Sequence, residues 1–200
     1  MKVYFVAVAR TDVKPAYILS KSSDLSSFSF FQRSSIQDFM SFFACTVAER
    51  TQAGQRQAVE ENNYIAYVYN RNDGLSGIVI TDLEYPSRVA LSLASRLIEE
   101  FSINYNNSTS WSKISSSSPV EIASFSKLLS EYQNPKQADV IMNVQQELDE
   151  TKVVLHKTIE SLLERGERLD TLVEKSNQLS DQSKMFYKTA KKTNSCCSLM

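Results

Sequence analysis

The chain has 200 residues, of which 22 are Lys or Arg, 23 are Asp or Glu and 42% are apolar. This length accommodates one domain with an extension or two small domains, and a net charge of −1 gives no electrostatic footprint for nucleic acid. The three cysteines form no disulfide framework, and no run approaches the roughly 20 apolar residues of a transmembrane helix. We therefore expect a cytosolic protein without a membrane-spanning helix.

A strand pair and a helix are predicted in the first fifty residues. Residues 3–9 are apolar on both faces, which is typical of a central strand, and residues 16–20 can pair with them. Residues 33–50 carry apolar side chains at helical spacing. Ser35 stands three residues before Asp38, as in a capping box, so we expect the helix to begin there.

Two more strands and a second helix follow. The apolar residues of 63–71 and 75–82 are separated by Asn72-Asp73-Gly74, and Asp-Gly between two such runs is a strong hairpin signal. Residues 85–101 carry a helical stripe, with Pro86 suited to the first helical position. The order of strands, helix, strands and helix predicts an α+β domain with an antiparallel sheet.

A serine-rich loop near residues 104–118 and a short amphipathic helix at 119–133 complete this domain. The loop is too polar to bury much surface, and we interpret Trp111 as a local packing anchor. Asn134-Pro135 should stop the short helix, and the same pair can begin the next one. The domain is therefore predicted to span residues 1–133.

A heptad pattern occupies residues 134–194. Apolar or small residues recur with alternating steps of three and four, as at the a and d positions of a coiled coil. We call these positions the seam: Ile141, Val144, Leu148, Thr151, Leu155, Thr158, Leu162, Arg165, Leu169, Leu172, Ser176, Leu179, Ser183, Phe186, Ala190 and Thr193. About seven heptads predict a helix on the order of 80 Å long.

Arg165 occupies a core position of the seam. Its guanidinium has five donors and no acceptor, and burial is costly unless every donor is met. A homodimer would place two such charges against each other. The seam therefore favours other chains that offer uncharged acceptors, such as glutamine carbonyls, and a polar core residue fixes partner choice. A register slip or a snorkelling side chain is the alternative interpretation.

The last four residues, Cys197-Ser198-Leu199-Met200, match a C-a-a-X prenylation signal, and the terminal Met favours farnesyl. A second thiol, Cys196, adjoins the signal, and several lysines precede it with no acidic residue after Asp181. One lipid gives marginal membrane binding, whereas a second lipid or a basic patch makes it stable. Two unmodified terminal thiols are the alternative.

The segment VIMNVQQELDETKVVLHKTIESLLERGERLDTLVEKSNQLSDQSKMFYKTAKK resembles the SNARE motif of R-SNAREs, the synaptobrevin type, with Arg165 as the central-layer arginine. The resemblance implies that Arg165 meets three glutamines of Qa, Qb and Qc helices in a parallel four-helix bundle. Leu155, Leu162, Leu169 and Leu172 would form flanking layers. It further implies a role in vesicle membrane fusion, with SNARE disassembly and tethering machinery as further partners.

Most R-SNAREs end in a transmembrane helix, and this chain departs from that pattern. The whole chain, including FFQRSSIQDFMSFF, AGQRQ, DLEYPSR and KTNSCC, resembles the prenylated longin R-SNAREs of yeast and animals. This implies a longin (profilin-like) domain at residues 1–133, with a five-stranded antiparallel sheet sandwiched by helices. An R-SNARE coiled coil would follow at 134–194, and a lipidation tail at 195–200.

The same resemblance implies farnesyl on Cys197, with a methyl ester after cleavage, and palmitoyl or a second prenyl group on Cys196. It places the protein in the cytoplasm and on the cytosolic face of Golgi, ER-derived vesicle, endosomal and vacuolar membranes. It also implies a closed cytosolic form, in which the longin domain binds the chain's own SNARE motif and farnesyl group and inhibits the protein.

Three phenylalanines of the first helix are candidates for that contact. Phe39 and Phe43 lie on its core stripe, and Phe42 lies roughly 120° away at ~100° per residue. An aromatic ring there is exposed unless something covers it. Either a neighbouring helix covers Phe42, or Phe42 edges an apolar groove for the SNARE segment or the farnesyl chain.

Patterns for catalysis or metal binding are weak. None of the four glycines is followed by Lys, which excludes the phosphate loop of a prenylated small GTPase. The single His156 faces outward from the predicted helix, and Cys45 has no adjacent His. We predict no catalytic residue, no metal and no cofactor other than the covalent lipids. A longin-domain acyl-transfer or lipid-binding protein and a generic coiled-coil tether stay open as alternatives.

Overall fold

The computed structural model describes residues 1–105, 111, 113–114, 119–136, 153–177 and 179–196, with only the backbone for 190 and 192–196. The strands are β1 Val3–Arg10, β2 Tyr17–Ser23, β3 Arg56–Glu61, β4 Tyr64–Asn70, β5 Leu75–Asp82 and β6 Val153–His156. The helices are α1 Arg33–Glu49, α2 Ser87–Asn104, α3 Ala123–Glu131, α4 Leu169–Lys175 and α5 Asp181–Cys196. Short 3-10 turns occupy Phe30–Gln32 and Ile159–Leu162.

The strands form one mixed sheet in the order β2-β1-β5-β4-β3-β6. Strands β1 to β5 pair antiparallel, and the predicted hairpin joins β4 to β5 through Gly74, which has a positive φ of 89°. Strand β6 belongs to the heptad segment and pairs parallel with β3, with Arg56 opposite Val153 and Val59 opposite His156. The predicted α+β longin fold is confirmed, and β6 extends its five-stranded sheet to six.

The sheet has an apolar layer on each face, as the two-sided pattern of β1 predicts. Val6 and Val8 of β1 face the layer formed with α2 and α3, and Phe5 and Ala7 face the layer formed with α1. Trp111 is buried in the α2 layer, where the guanidinium of Arg10 lies 5.2 Å from its ring centroid. Trp111 is therefore a packing anchor, as predicted.

Helix α1 does not begin with the predicted capping box. The helix begins at Arg33, after the 3-10 turn, and no side chain caps its first residue. The Asp38 carboxylate accepts hydrogen bonds from Ser183 and Ser180 of the heptad segment instead. The Asp38 side chain, which the local pattern assigned to capping the helix, thus makes a long-range contact with the heptad segment.

The described part of the heptad segment is not one continuous helix in this structure. Residues 153–196, which we call the C-terminal segment, form β6, a 3-10 turn, α4 and α5, and pack on β3 and α1. A single helix with an apolar seam cannot bury that seam without partner helices, so this segment buries apolar residues against its own domain. The expectations for Ile141 to Thr151 and for Cys197 lie outside the described residues.

Candidate functional site

The candidate site is the interface between α1 and the C-terminal segment. Helix α1 is buried over most of its circumference because the sheet covers one side and the C-terminal segment packs on another. Five apolar residues of the segment belong to the same buried cluster as α1: Ile159, Leu169, Val173, Leu179 and Tyr187. The interface is thus a continuation of the domain core.

The three predicted phenylalanines lie in or beside this cluster. The Phe39 ring stacks on the Tyr187 ring of α5, with 5.3 Å between centroids and 20° between planes, and on Phe43 at 6.4 Å. Phe43 is buried, and Phe42 is only 7% exposed within the cluster that α1 shares with the C-terminal segment. The predicted apolar surface on α1 is therefore covered within this chain.

Cys45 is also buried in this cluster, although the helical pattern places it opposite the core stripe. Burial raises the pKa of its thiol to about 12, which disfavours the thiolate. The geometry therefore gives no support to a nucleophilic role for Cys45.

Three polar contacts fasten the C-terminal segment at separate places. Ser183 Oγ donates to Asp38 Oδ2 at 3.0 Å, at the start of α5. The backbone N–H of Ile159 donates to Glu61 Oε2 at 3.2 Å, at the end of β3. These hydrogen bonds join specific atoms and therefore help to fix the register of the segment, which apolar burial by itself does not fix because it is non-directional.

The third contact joins Arg50, just after α1, to Glu167, with 2.9 Å between Nη2 and Oε2. This hydrogen bond lowers the pKa of Glu167, whereas burial raises the pKa of Glu61. The closed arrangement therefore gains from ionised Glu167 above the ordinary pKa near 4.5 and loses this gain in acid. At Glu61 the burial favours the protonated form, while the N–H bond from Ile159 of the segment favours the ionised form.

Helices α4 and α5 are also joined to each other. The Asp170 carboxylate accepts hydrogen bonds from the Tyr187 hydroxyl at 3.0 Å and from Lys191 Nζ at 2.7 Å. These contacts, with Lys191 contributing most, lower the pKa of Asp170. The two helices therefore pack on α1 as one hairpin, with Tyr187 as the side chain that contacts both α4 and α1.

The predicted layer residues are distributed unequally in this arrangement. Leu169 is buried, Leu162 and Leu172 are half-buried, and Leu155 on β6 is 62% exposed. Arg165 is exposed in a turn with Gly166, which has a φ of +97°. The structure therefore brings Leu169 to the interface and leaves Leu155 and Arg165 at the surface.

A cavity of about 450 Å³ lies within the interface. Its walls include Phe39, Met40 and Phe43 of α1 and Phe186 and Tyr187 of α5. This volume lies within the range of about 300–1,000 Å³ that is usual for ligand pockets with mostly apolar walls. The interface thus contains room for an apolar chain.

Sequence reasoning did not select Ile159, Val173 or Tyr187, which are among the most buried residues of the C-terminal segment. All three lie outside the seam, so the a and d pattern gave no reason to single them out. The available signal was the occurrence of apolar residues at other heptad positions.

Among the described residues, no helix combines the length and apolar composition that crossing a bilayer requires. Residues 25–129 match the family model described as a regulated-SNARE-like longin domain, and residues 140–198 match the synaptobrevin model. Both are SNARE families, and neither is an enzyme family.

Proteins similar to this chain include three fungal synaptobrevin homologues named Ykt6. The Schizosaccharomyces pombe protein is 58% identical over 98% of each chain. The proteins of Debaryomyces hansenii and Saccharomyces cerevisiae are each 51% identical over the full length of both chains. The chain therefore belongs to the synaptobrevin family and is a longin-domain R-SNARE of vesicle fusion.

Proposed function

We propose that the structure is the autoinhibited form of this R-SNARE and that the C-terminal segment leaves α1 to form a four-helix bundle with Qa, Qb and Qc helices. The supporting observation is that the seam residues Leu169, Leu179 and Ser183 are buried in the closed arrangement. A four-helix bundle needs the same side chains in its core. One set of residues cannot occupy both places, so closing and bundle formation compete.

This observation also favours the fusion protein over a generic coiled-coil tether. A tether would bury its seam against a second copy, whereas this chain buries part of its seam on its own domain. The inhibited form is then released by partner helices that offer a more favourable interface. Zippering from the Ile141 end toward Thr193 would draw the lipidated tail toward the opposite membrane.

The central layer gives the first test of this proposal. Arg165→Leu should remove the preference for glutamine-bearing partners, because the guanidinium donors that need acceptors are gone. Bundle formation would be measured with Q-SNARE motifs carrying glutamine or leucine at the central layer. The parent chain should prefer glutamine, and the variant should prefer leucine.

Arg168→Leu is the matched control, because Arg168 is an exposed arginine outside the seam. It should keep the parental preference for glutamine. An unchanged glutamine preference in Arg165→Leu would contradict the central-layer role.

We further propose that farnesyl on Cys197 and a second lipid on Cys196, palmitoyl or prenyl, attach the open form to membranes. The apolar cavity at the interface would hold the farnesyl chain in the closed form. Both proposals are supported by the C-a-a-X end and by the cavity walls of Phe39, Phe43 and Phe186. The membranes concerned would be those of the ER-to-Golgi, endosomal and vacuolar routes.

The lipids give the second test. Cys197→Ser should abolish prenylation and membrane association in cells, because the C-a-a-X signal requires the thiol. Cys196→Ser should keep the farnesyl group but bind membranes only transiently, since one chain gives marginal affinity. Membrane fractionation with mass spectrometry of the C-terminus measures both, and full membrane association of Cys197→Ser would exclude the farnesyl anchor.

A further inference from the structure

The heptad register places the buried residues outside the seam in a single column. With Ile141 at position a, position e between residues 158 and 190 is occupied by Ile159, Gly166, Val173, Ser180 and Tyr187. Ile159, Val173 and Tyr187 are 0%, 1% and 8% exposed. Ser180 is exposed, but its hydroxyl contacts Asp38 Oδ2 of α1 at 3.3 Å. Four of the five residues at position e thus take part in the closed interface.

The opposite flank of the seam differs in both composition and burial. Position g carries Ser161, Arg168, Lys175, Gln182 and Thr189 between residues 158 and 190, and all five are exposed. A parallel coiled coil buries its a and d residues, and both flanks usually carry charged or polar side chains. The a and d seam therefore does not require an isoleucine, a valine and a tyrosine at position e, and the polar g flank shows that the extra apolar residues lie on one side only.

The closed structure gives each of these side chains a defined place. The Ile159 side chain enters the α1 cluster next to its own N–H bond to Glu61, and Tyr187 stacks on Phe39. The turn at Gly166 lies midway between Ile159 and Val173. In an uninterrupted helix those two residues would be about 21 Å apart, and the turn lets both enter one cluster.

We propose that Ile159, Val173 and Tyr187 form a recognition stripe for the chain's own longin domain, separate from the seam that the Q-SNARE helices use. The proposal rests on the proposed function, since the closed form buries the stripe together with seam residues, whereas the bundle uses the seam. The stripe therefore contributes to the closed form alone, and the seam contributes to both states and sets partner choice. Substitutions at position e therefore change the stability of the closed form without changing that of the bundle.

The test uses the full-length chain with the double substitution Ile159→Gln and Val173→Gln. Glutamine is a good helix former and suits a bundle flank, but it loses the apolar burial of the closed form. The matched control is Arg168→Gln with Lys175→Gln on the g flank. Leu169→Gln, within the seam, serves as the variant that should damage both states.

Three measurements separate the outcomes. Amide hydrogen exchange in α4 and α5 reports opening, and exchange in β1 and β5 reports whether the longin domain remains folded. The melting temperature of the assembled bundle with purified Qa, Qb and Qc motifs reports bundle stability. The e-flank variant should exchange about tenfold or more faster in α4 and α5, while β1, β5 and the bundle are unchanged. The g-flank variant should match the parent throughout.

Two results for the e-flank variant would overturn the stripe. One is hydrogen exchange in α4 and α5 at the parental rate, and the other is a bundle melting temperature as low as that of Leu169→Gln. Faster exchange in β1 and β5 as well would also overturn it, because the residues would then support the domain itself. If no variant, including the parent, formed a bundle, the proposed function would fail. The exchange measurement would still decide whether the stripe holds the segment closed.

Discussion

Replacing Gly166 with alanine is expected to shift the chain toward the open form by roughly 2–3 kcal/mol, or about 30- to 150-fold. Gly166 has a φ of +97°, a region that residues with a Cβ rarely occupy. Among the described residues, no atom beyond the two neighbouring residues lies within 4 Å of an added Cβ, so the cost comes from the backbone and not from crowding. In the helical bundle the same substitution is favourable by about 1 kcal/mol.

The two effects act in the same direction, because alanine destabilises the closed turn and stabilises the helix. Gly166→Ala should therefore bind Q-SNARE motifs faster than the parent and melt from the bundle at a higher temperature. Gly54→Ala is the control, since Gly54 has a positive φ of 78° in the longin domain and is not part of the segment. It should lower the stability of that domain without opening the segment. A Gly166→Ala chain with parental opening would show that the closed turn does not depend on glycine.

Phe42→Glu is expected to have the second large effect, with the closed form weakened by several kcal/mol. The ring is 7% exposed and belongs to the buried cluster that α1 shares with the sheet and the C-terminal segment. A carboxylate there is desolvated in the closed form, and we expect departure of the segment to let water reach it. The variant should therefore move from the cytosolic fraction to membranes and show faster hydrogen exchange in α4 and α5.

The control for charge is Ser41→Glu on the same helix. Ser41 is half-buried and its hydroxyl lies 3.2 Å from Lys21 Nζ, so a carboxylate there has a cation nearby. It should leave the closed form intact. Thermal unfolding of the longin domain must be similar in both variants, and equal cytosolic fractions for Phe42→Glu and the parent would count against the covering role.

Local patterns predicted much of the longin domain. They failed where the role of a residue depends on a contact with a residue distant in the sequence. The β4–β5 hairpin and the two-sided β1 follow from neighbouring residues alone. Strand β3 was not recognised, because its buried Gln57 breaks the apolar pattern. The Gln57 amide bonds to Thr51 and to the Val47 carbonyl, which the sequence does not reveal.

The same reason explains the expectations for the heptad segment. Its a and d pattern predicts a continuous helix, which is the form required with partner helices, and the structure shows the chain without them. Gly166 stands inside the predicted helix, but in this structure it lies in a turn with a positive φ. When one sequence is compatible with both a continuous helix and a folded-back segment, its periodicity predicts the helix, because the helix is the more regular of the two.

Strand β6 has a consequence for the tendency of the chain to aggregate. In the closed form it occupies the outer edge of β3 from Arg56 to Val59. Departure of the segment, which we propose for bundle formation, would leave β3 as an edge strand with unpaired backbone donors and acceptors, which are templates for association with other strands. We therefore expect the open form to aggregate more readily than the closed form.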